Sequence, residues 1–149
     1  MKETSLIKPS MDVFLTSDAA RMLEAVRRLV PKKGGRGFLL GHRRGNRVYV
    51  EAVLPSPSSA WPSLRSFYEM DAGLGRKIVG FFLIGAPAAA RAPLLRPFGT
   101  GKVLVEIPLP GGKKRPPAGS LIDYHDRFLF KKIRVVVERP VGRPEGKRP

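Results

Sequence analysis

Cysteine is absent from this chain of 149 residues, and histidine occurs only twice. The lack of cysteine excludes a disulfide framework, thiolate zinc sites, iron–sulfur clusters and a cysteine nucleophile. It is compatible with a cytoplasmic protein, and we expect that location. Because no complete set of ligands is visible elsewhere in the sequence, we expect neither a bound metal nor a cofactor.

Long apolar runs are also missing. The longest apolar stretch starts at Ile78 and is broken by Arg91, with glycine and proline inside it. A membrane-spanning helix needs about 20 apolar residues, so we expect no membrane contact and interpret residues 78–84 as a buried central strand. The segment from Met1 to Ser10 is polar and lacks the apolar core of a secretory signal.

Acidic residues are few. The chain has 12 Asp and Glu against 28 Lys and Arg, which gives a net charge of +16. Such an excess favours a polyanionic partner, although a merely solvated basic surface is an equal alternative. The candidate polyanion-binding residues form two groups, one at a predicted hairpin turn and one in a later loop: Arg43, Arg44 and Arg47, and then Lys113, Lys114 and Arg115.

Hydrophobic periodicity predicts one helix followed mainly by strands. The helix covers residues 18–30, after an N-cap at Ser17, whereas residues 63–76 are ambiguous. Strands are predicted at residues 12–16, 37–41, 47–54, 78–84, 102–107, within 121–130, and at 133–138. This pattern indicates an α+β fold with a mixed, curved β-sheet and one main N-terminal helix. We expect a single domain over residues 1–138 and a basic, disordered tail over 139–149.

Two segments resemble a known family. The first is Gly37-Phe38-Leu39-Leu40-Gly41, followed by a polar turn, Val48-Tyr49-Val50-Glu51 and Pro55. The second is Tyr68-Glu69-Met70-Asp71, followed by Arg76-Lys77-Ile78-Val79-Gly80-Phe81-Phe82. Together they resemble the MPN/JAMM (Jab–MPN–Pad) domains of zinc isopeptidases over roughly residues 11 to 107.

The resemblance implies an MPN/JAMM-like fold whose metal site is degenerate. Active members of that family carry two histidines, a serine, an aspartate and a glutamate around the zinc. The corresponding positions here are Leu83, Gly85, Pro93, Arg96 and Gly34. The resemblance therefore implies a metal-free pseudo-isopeptidase, which is not an enzyme but a non-catalytic binding or scaffold domain with another protein as its partner.

Two alternatives stay open at this point. The net charge alone favours a basic nucleic-acid-binding module. The segment Asp123-Tyr124-His125-Asp126 instead suggests an enzyme of unrecognised type, in which His125 acts with Asp123 or Asp126. A solvated loop beside a strand is the favoured interpretation of this segment, because no third ligand is in sight.

Overall fold

A computed structural model describes residues 11–30, 34–58, 60–85, 88–111 and 115–139. Seven strands and two helices follow one another in the described chain. They are β1 (Asp12–Leu15), α1 (Ser17–Leu29), β2 (Gly35–Arg44), β3 (Arg47–Ser56), α2 (Leu64–Gly73), β4 (Ile78–Ile84), β5 (Val103–Ile107), β6 (Ala118–Tyr124) and β7 (Phe128–Val137). Three short 3₁₀ helices lie between β4 and β5: Ala88–Ala90, Ala92–Leu94 and Pro97–Gly99.

The strands form a closed barrel in the order β1-β3-β2-β4-β5-β6-β7. The four-residue strand β1 closes it, because β1 pairs in parallel with β3 on one side and with β7 on the other. The predicted α+β fold, with a mixed, curved sheet and one main helix, is therefore wrong. The described part of the chain is mostly β and carries two short helices. Because β1 pairs on both sides, the sheet closes on itself and leaves no free edge for a helix to cover. Of the predicted tail, residues 140–149 lie outside the described residues.

Helix α1 begins one residue earlier than predicted, and its N-cap is Thr16. The hydroxyl of Thr16 accepts a hydrogen bond from the backbone N–H of Ala19 at 3.1 Å, which satisfies one of the free donors of the first turn. The helix buries Ala19 and Leu23 against the residues that fill the barrel. At its other end, the Arg27 side chain donates to the carbonyl oxygen of Pro108 at 2.9 Å, and this fixes the helix to the chain after β5.

Two apolar cores lie on opposite sides of the sheet. Phe82 and Ile84 belong to the core inside the barrel, which also includes the two residues that α1 buries. Phe81 and Leu83 belong to an outer core, in which α2 and the 3₁₀ segments pack over β2, β4, β5 and β6. Strand β4 is therefore buried on both faces, which confirms the prediction that residues 78–84 form a central strand.

The rest of the outer surface is left open. On β7 from Lys132 onwards, on β1, on the first half of β3 and at the end of β2, the outward side chains belong to neither core, as far as the structure describes the chain. We call this surface the open face. Its members are Lys132, Arg134 and Val136 on β7, Asp12 and Phe14 on β1, Arg47, Tyr49 and Glu51 on β3, and His42 and Arg44 on β2. Neither of the described helices has the length and apolar character that crossing a membrane requires.

Candidate functional site

The open face is assembled by the two parallel pairings of β1. Asp12 lies between Arg47 of β3 and Arg134 of β7, and Phe14 lies between Tyr49 and Val136. Side chains alternate across a strand, so residues that are paired and two apart share one face. Strand β2 continues the same surface, since His42 pairs with Tyr49 and Arg44 with Arg47.

An ion pair holds the centre of this face. The Arg47 guanidinium donates two hydrogen bonds to the Asp12 carboxylate, at 2.9 and 2.8 Å, and the Arg134 guanidinium lies 4.0 Å from the same carboxylate. The Asp12 side chain is only 14% exposed. The hydrogen bond from Arg47 lowers the pKa of Asp12, against the opposing effect of burial, and it raises the pKa of Arg47. Both groups are therefore charged at neutral pH, and Arg47 has a fixed position.

This ion pair predicts a specific dependence of stability on pH. The pKa of Asp12 is lower in the folded protein than in the unfolded chain, so its contribution to stability is present above roughly pH 4 and is lost as the pH falls through the folded-state pKa. We expect Asp12→Asn to be less stable than the wild type at neutral pH. The difference between the two proteins should shrink below about pH 4. Thermal unfolding of both proteins across the acid range measures this difference in stability.

The control for this prediction is Asp18→Asn, which removes an exposed carboxylate of α1 that pairs with Arg21. This variant should follow the wild type more closely at every pH, since exposed ion pairs contribute little. If Asp12→Asn were less stable than the wild type by the same amount over the whole acid range, the stability could not be assigned to the ionised Asp12 carboxylate.

Aromatic rings and cations alternate around the ion pair. The Phe14 and Tyr49 rings lie 5.4 Å apart, and the His42 ring stacks on Tyr49 at 5.2 Å. The Arg47 guanidinium lies 4.9 Å from the centre of the Phe14 ring, and that of Arg44 lies 5.9 Å from the centre of the Tyr49 ring. Cation–π contacts of this kind hold guanidinium groups flat against the sheet while leaving N–H donors for a ligand.

Glycine at position 41 allows the close approach of β2 and β3 here. The pairing register shifts between Leu40 and Gly41, as in a β-bulge, and a Cβ at Gly41 would overlap the carbonyl oxygen of Tyr49. The backbone N–H of Gly41 donates to the carbonyl of Lys77 at 2.8 Å, which secures the bulge from the other side. A bulge re-aims the side chains that follow it, and here it brings His42 level with Tyr49.

The predicted polyanion-binding residues are only partly brought together. Arg44 and Arg47 are paired on the open face. Arg43 pairs with Val48, whose side chain points into the barrel, so Arg43 lies on the opposite face, where its side chain donates to the carbonyl of Gly45 at 3.2 Å. Arg115 is exposed ahead of β6, and Lys113 and Lys114 lie outside the described residues.

Two basic residues of the open face were missed at the sequence level. Lys132 and Arg134 are exposed on β7, and Arg134 pairs directly with Asp12 of β1. Their spacing of two within a strand pattern was a signal that both share one face. The sequence contains no sign, however, that this face continues onto β1 and β3, because that pairing joins opposite ends of the chain.

The positions assigned to a degenerate metal site are spread over several elements, although Gly34 and Gly85 lie side by side. Gly34 meets the end of β4, where a Cβ would overlap the carbonyl oxygen of Ile84 next to Gly85. Leu83 is buried in the outer core, Pro93 lies in a 3₁₀ helix, and Arg96 is exposed. Within the described part of the chain, no three His, Cys, Asp or Glu residues are close enough to hold a metal ion.

His125 lies in the turn between β6 and β7, with 69% of its side chain exposed. Its Nε2 is 2.9 Å from Oδ2 of Asp123. The backbone N–H of Tyr124 donates to the other oxygen of Asp123, and this bond, more than His125, lowers the pKa of Asp123. Asp126 occupies the turn with a φ of 62°, so its backbone has a local structural role. The pair of His125 and Asp123 exists, and its use in catalysis stays a prediction.

Comparison with known proteins supports the fold alone. No family model matches the chain, and no curated protein matches it. The fold is similar to the solution structure of protein DSY2949 from Desulfitobacterium hafniense, with a TM-score of 0.62 and 20% sequence identity over 87% of this chain and 94% of that chain. Nothing in these findings points to an MPN/JAMM domain. Together with the closed barrel, they show that the proposed resemblance to that family, and the pseudo-isopeptidase identity drawn from it, are wrong.

Proposed function

We propose that this protein is a non-catalytic binding domain that takes nucleic acid on its open face. The observation that carries the proposal is the alignment of four basic side chains beside the Phe14–Tyr49 pair, on a part of the barrel that neither core covers. These side chains are Arg44, Arg47, Lys132 and Arg134. We expect the protein to meet this ligand in the cytoplasm, which its lack of cysteine permits.

Phosphate is the group that such a surface suits best. Neighbouring strands are about 4.8 Å apart and outward residues of one strand about 7 Å apart, so the cations are spread as a strip and not as one point. The face also holds two carboxylates, but Asp12 is neutralised by Arg47, and Glu51 lies within 3.4 Å of His42. The strip thus keeps an excess of positive charge, in a chain whose net charge is +16. Fixed arginines on such a strip bind phosphate by charge and by hydrogen bonds.

The same composition argues against a protein partner at this face. The centres of protein–protein interfaces are depleted in charged residues and rich in apolar contacts. On the open face, charged residues occur on all four strands, and its two aromatic rings contact guanidinium groups. The earlier reason to expect a protein partner was the family resemblance, which no longer applies.

A pair of triple variants tests the proposal. One removes three cations of the open face through Arg44→Ala, Lys132→Ala and Arg134→Ala. The other removes three exposed arginines of the helices through Arg21→Ala, Arg28→Ala and Arg65→Ala. Both lower the net charge by the same amount, and both keep the pair of Arg47 and Asp12.

The two variants are compared by their binding to labelled oligonucleotides of about 20 nucleotides. Fluorescence anisotropy measures the affinity over a range of salt concentrations. The open-face variant should flatten the slope of log affinity against log salt by up to about 0.9 per lost contact on a duplex and about 0.7 on a single strand. The helix variant should change it little. Equal slopes in the two variants would mean that net charge alone attracts the nucleic acid, and the open face would then lose its assigned role.

A further inference from the structure

A second aromatic cluster lies at the far end of the same barrel surface. Tyr124 and Phe128 face each other across the β6–β7 hairpin, with ring centres 5.0 Å apart and planes inclined at 65°. Tyr124 is 53% exposed, although a tyrosine gains by burying its ring. Among the described residues, no guanidinium or ammonium group lies over either ring, in contrast to Phe14 and Tyr49. These rings are therefore free to take a flat ligand group.

Strand β7 joins this cluster to the open face. Its outward side chains are, in order, Phe128, Phe130, Lys132, Arg134 and Val136. With a rise of about 3.3 Å per residue, they extend over roughly 26 Å. Phe130 is covered by the Arg91 guanidinium at 4.7 Å, and Val136 pairs with Phe14. A strip thus runs from Tyr124 and Phe128, past Phe130 at the margin of the outer core, over the exposed side chains of Lys132 and Arg134, to the aromatic and arginine cluster around Asp12.

We infer that this strip binds single-stranded nucleic acid, with a base stacked at Tyr124 and Phe128 and the phosphates following Lys132 and Arg134. The inference rests on the proposed function and adds the class of ligand. Bases of a single strand expose their flat faces, and aromatic side chains on a sheet stack on them regardless of sequence. In a duplex the bases are stacked on each other, so they offer no free face on which the Tyr124 ring could stack. The strip's length suits a short site of about four nucleotides, at the lower end of known single-strand sites.

The test compares two tyrosines that are about equally exposed and lie on different elements of the fold. Tyr124→Ala removes the proposed stacking ring. Tyr68→Ala is the matched control, because Tyr68 is 51% exposed but lies on α2, over the outer core. The probes are a labelled oligo(dT) strand and a DNA duplex of the same length, each titrated by fluorescence anisotropy. Tyr124→Phe serves as the conservative variant that keeps the ring.

The wild type should bind the single strand more tightly than the duplex. Tyr124→Ala should weaken oligo(dT) binding by about 5- to 100-fold and leave duplex binding within about twofold. Tyr124→Phe and Tyr68→Ala should both behave like the wild type. Melting temperatures of all the variants establish that they are folded.

The two proposals fail in different ways. If single strand and duplex bind alike and Tyr124→Ala changes neither, while the open-face triple variant still weakens both, the single-strand inference is overturned and nucleic-acid binding stands. If the folded wild type binds neither probe at low salt, both proposals fall, and the strip serves another class of partner.

Discussion

Replacing Phe82 with aspartate is expected to remove at least about 4 kcal/mol of stability, a large share of the roughly 5–15 kcal/mol that a typical domain has. Phe82 is fully buried inside the barrel, where its neighbours are aliphatic side chains. Its ring occupies space that is left by Gly37 of the adjacent strand, since a Cβ there would overlap the ring. A carboxylate in this place has neither water nor a cation to replace its hydration.

Chemical denaturation, followed by tryptophan fluorescence, measures this loss because Trp61 is the one tryptophan and is buried in the outer core. Phe82→Leu is the control that keeps the site apolar, and it should cost about 1–2 kcal/mol through loss of contacts alone. A Phe82→Asp protein with the wild-type denaturation midpoint would show that β4 does not face the barrel interior.

Replacing Phe67 with alanine should cost about 3–5 kcal/mol, because it leaves a large cavity in the outer core. Phe67 is fully buried and is the residue by which α2 enters that core. Its ring stacks on Phe98 of the last 3₁₀ helix, with the centres 4.7 Å apart and the planes at 19°. Loss of the ring therefore weakens the packing of both α2 and the last 3₁₀ helix against the sheet.

The adjacent residue supplies the control for this prediction as well. Tyr68→Ala removes an aromatic ring of similar size from the same turn of α2, but that ring is half exposed. We expect a loss within about 1 kcal/mol. If Phe67→Ala and Tyr68→Ala prove equally costly in denaturation experiments, α2 is not anchored through Phe67.

The local elements were predictable where the hydrophobic pattern has one explanation. Strand β4 was predicted with its observed bounds, because an unbroken apolar run is typical of a strand buried on both faces. Helix α1 was predicted within a residue at each end, and the β2–β3 hairpin is confirmed. Residues 63–76 stayed ambiguous for a physical reason. On helix α2 only Phe67 is fully buried, and Met70 and Leu74 are partly buried beside it, so the apolar stripe is short.

Hydrophobic periodicity could not predict that the strands close into a barrel. A pattern indicates which face of β1 is buried, but it carries no information about the strand on either side. For the same reason, the sequence alone could not show that the residues of the open face lie together. Arg43 was grouped with Arg44 and Arg47 from adjacency in sequence, although alternation sends its side chain to the other face. Phe14 and Arg134 entered the site only through the pairings of β1 with β3 and β7.

The double pairing of β1 also decides when the fold can form. The backbone N–H of Ser17, just after β1, donates to the Glu138 carboxylate, 121 residues away in sequence. Contacts between such distant segments carry a large loop-closure entropy and slow the search for the native state. During synthesis, β1 leaves the ribosome long before β7, so one edge of β1 stays unpaired until nearly all of the barrel has been made. For that interval the nascent chain has an open strand edge, where a chaperone, or the same strand of a neighbouring chain, competes with β7 for the hydrogen bonds of β1.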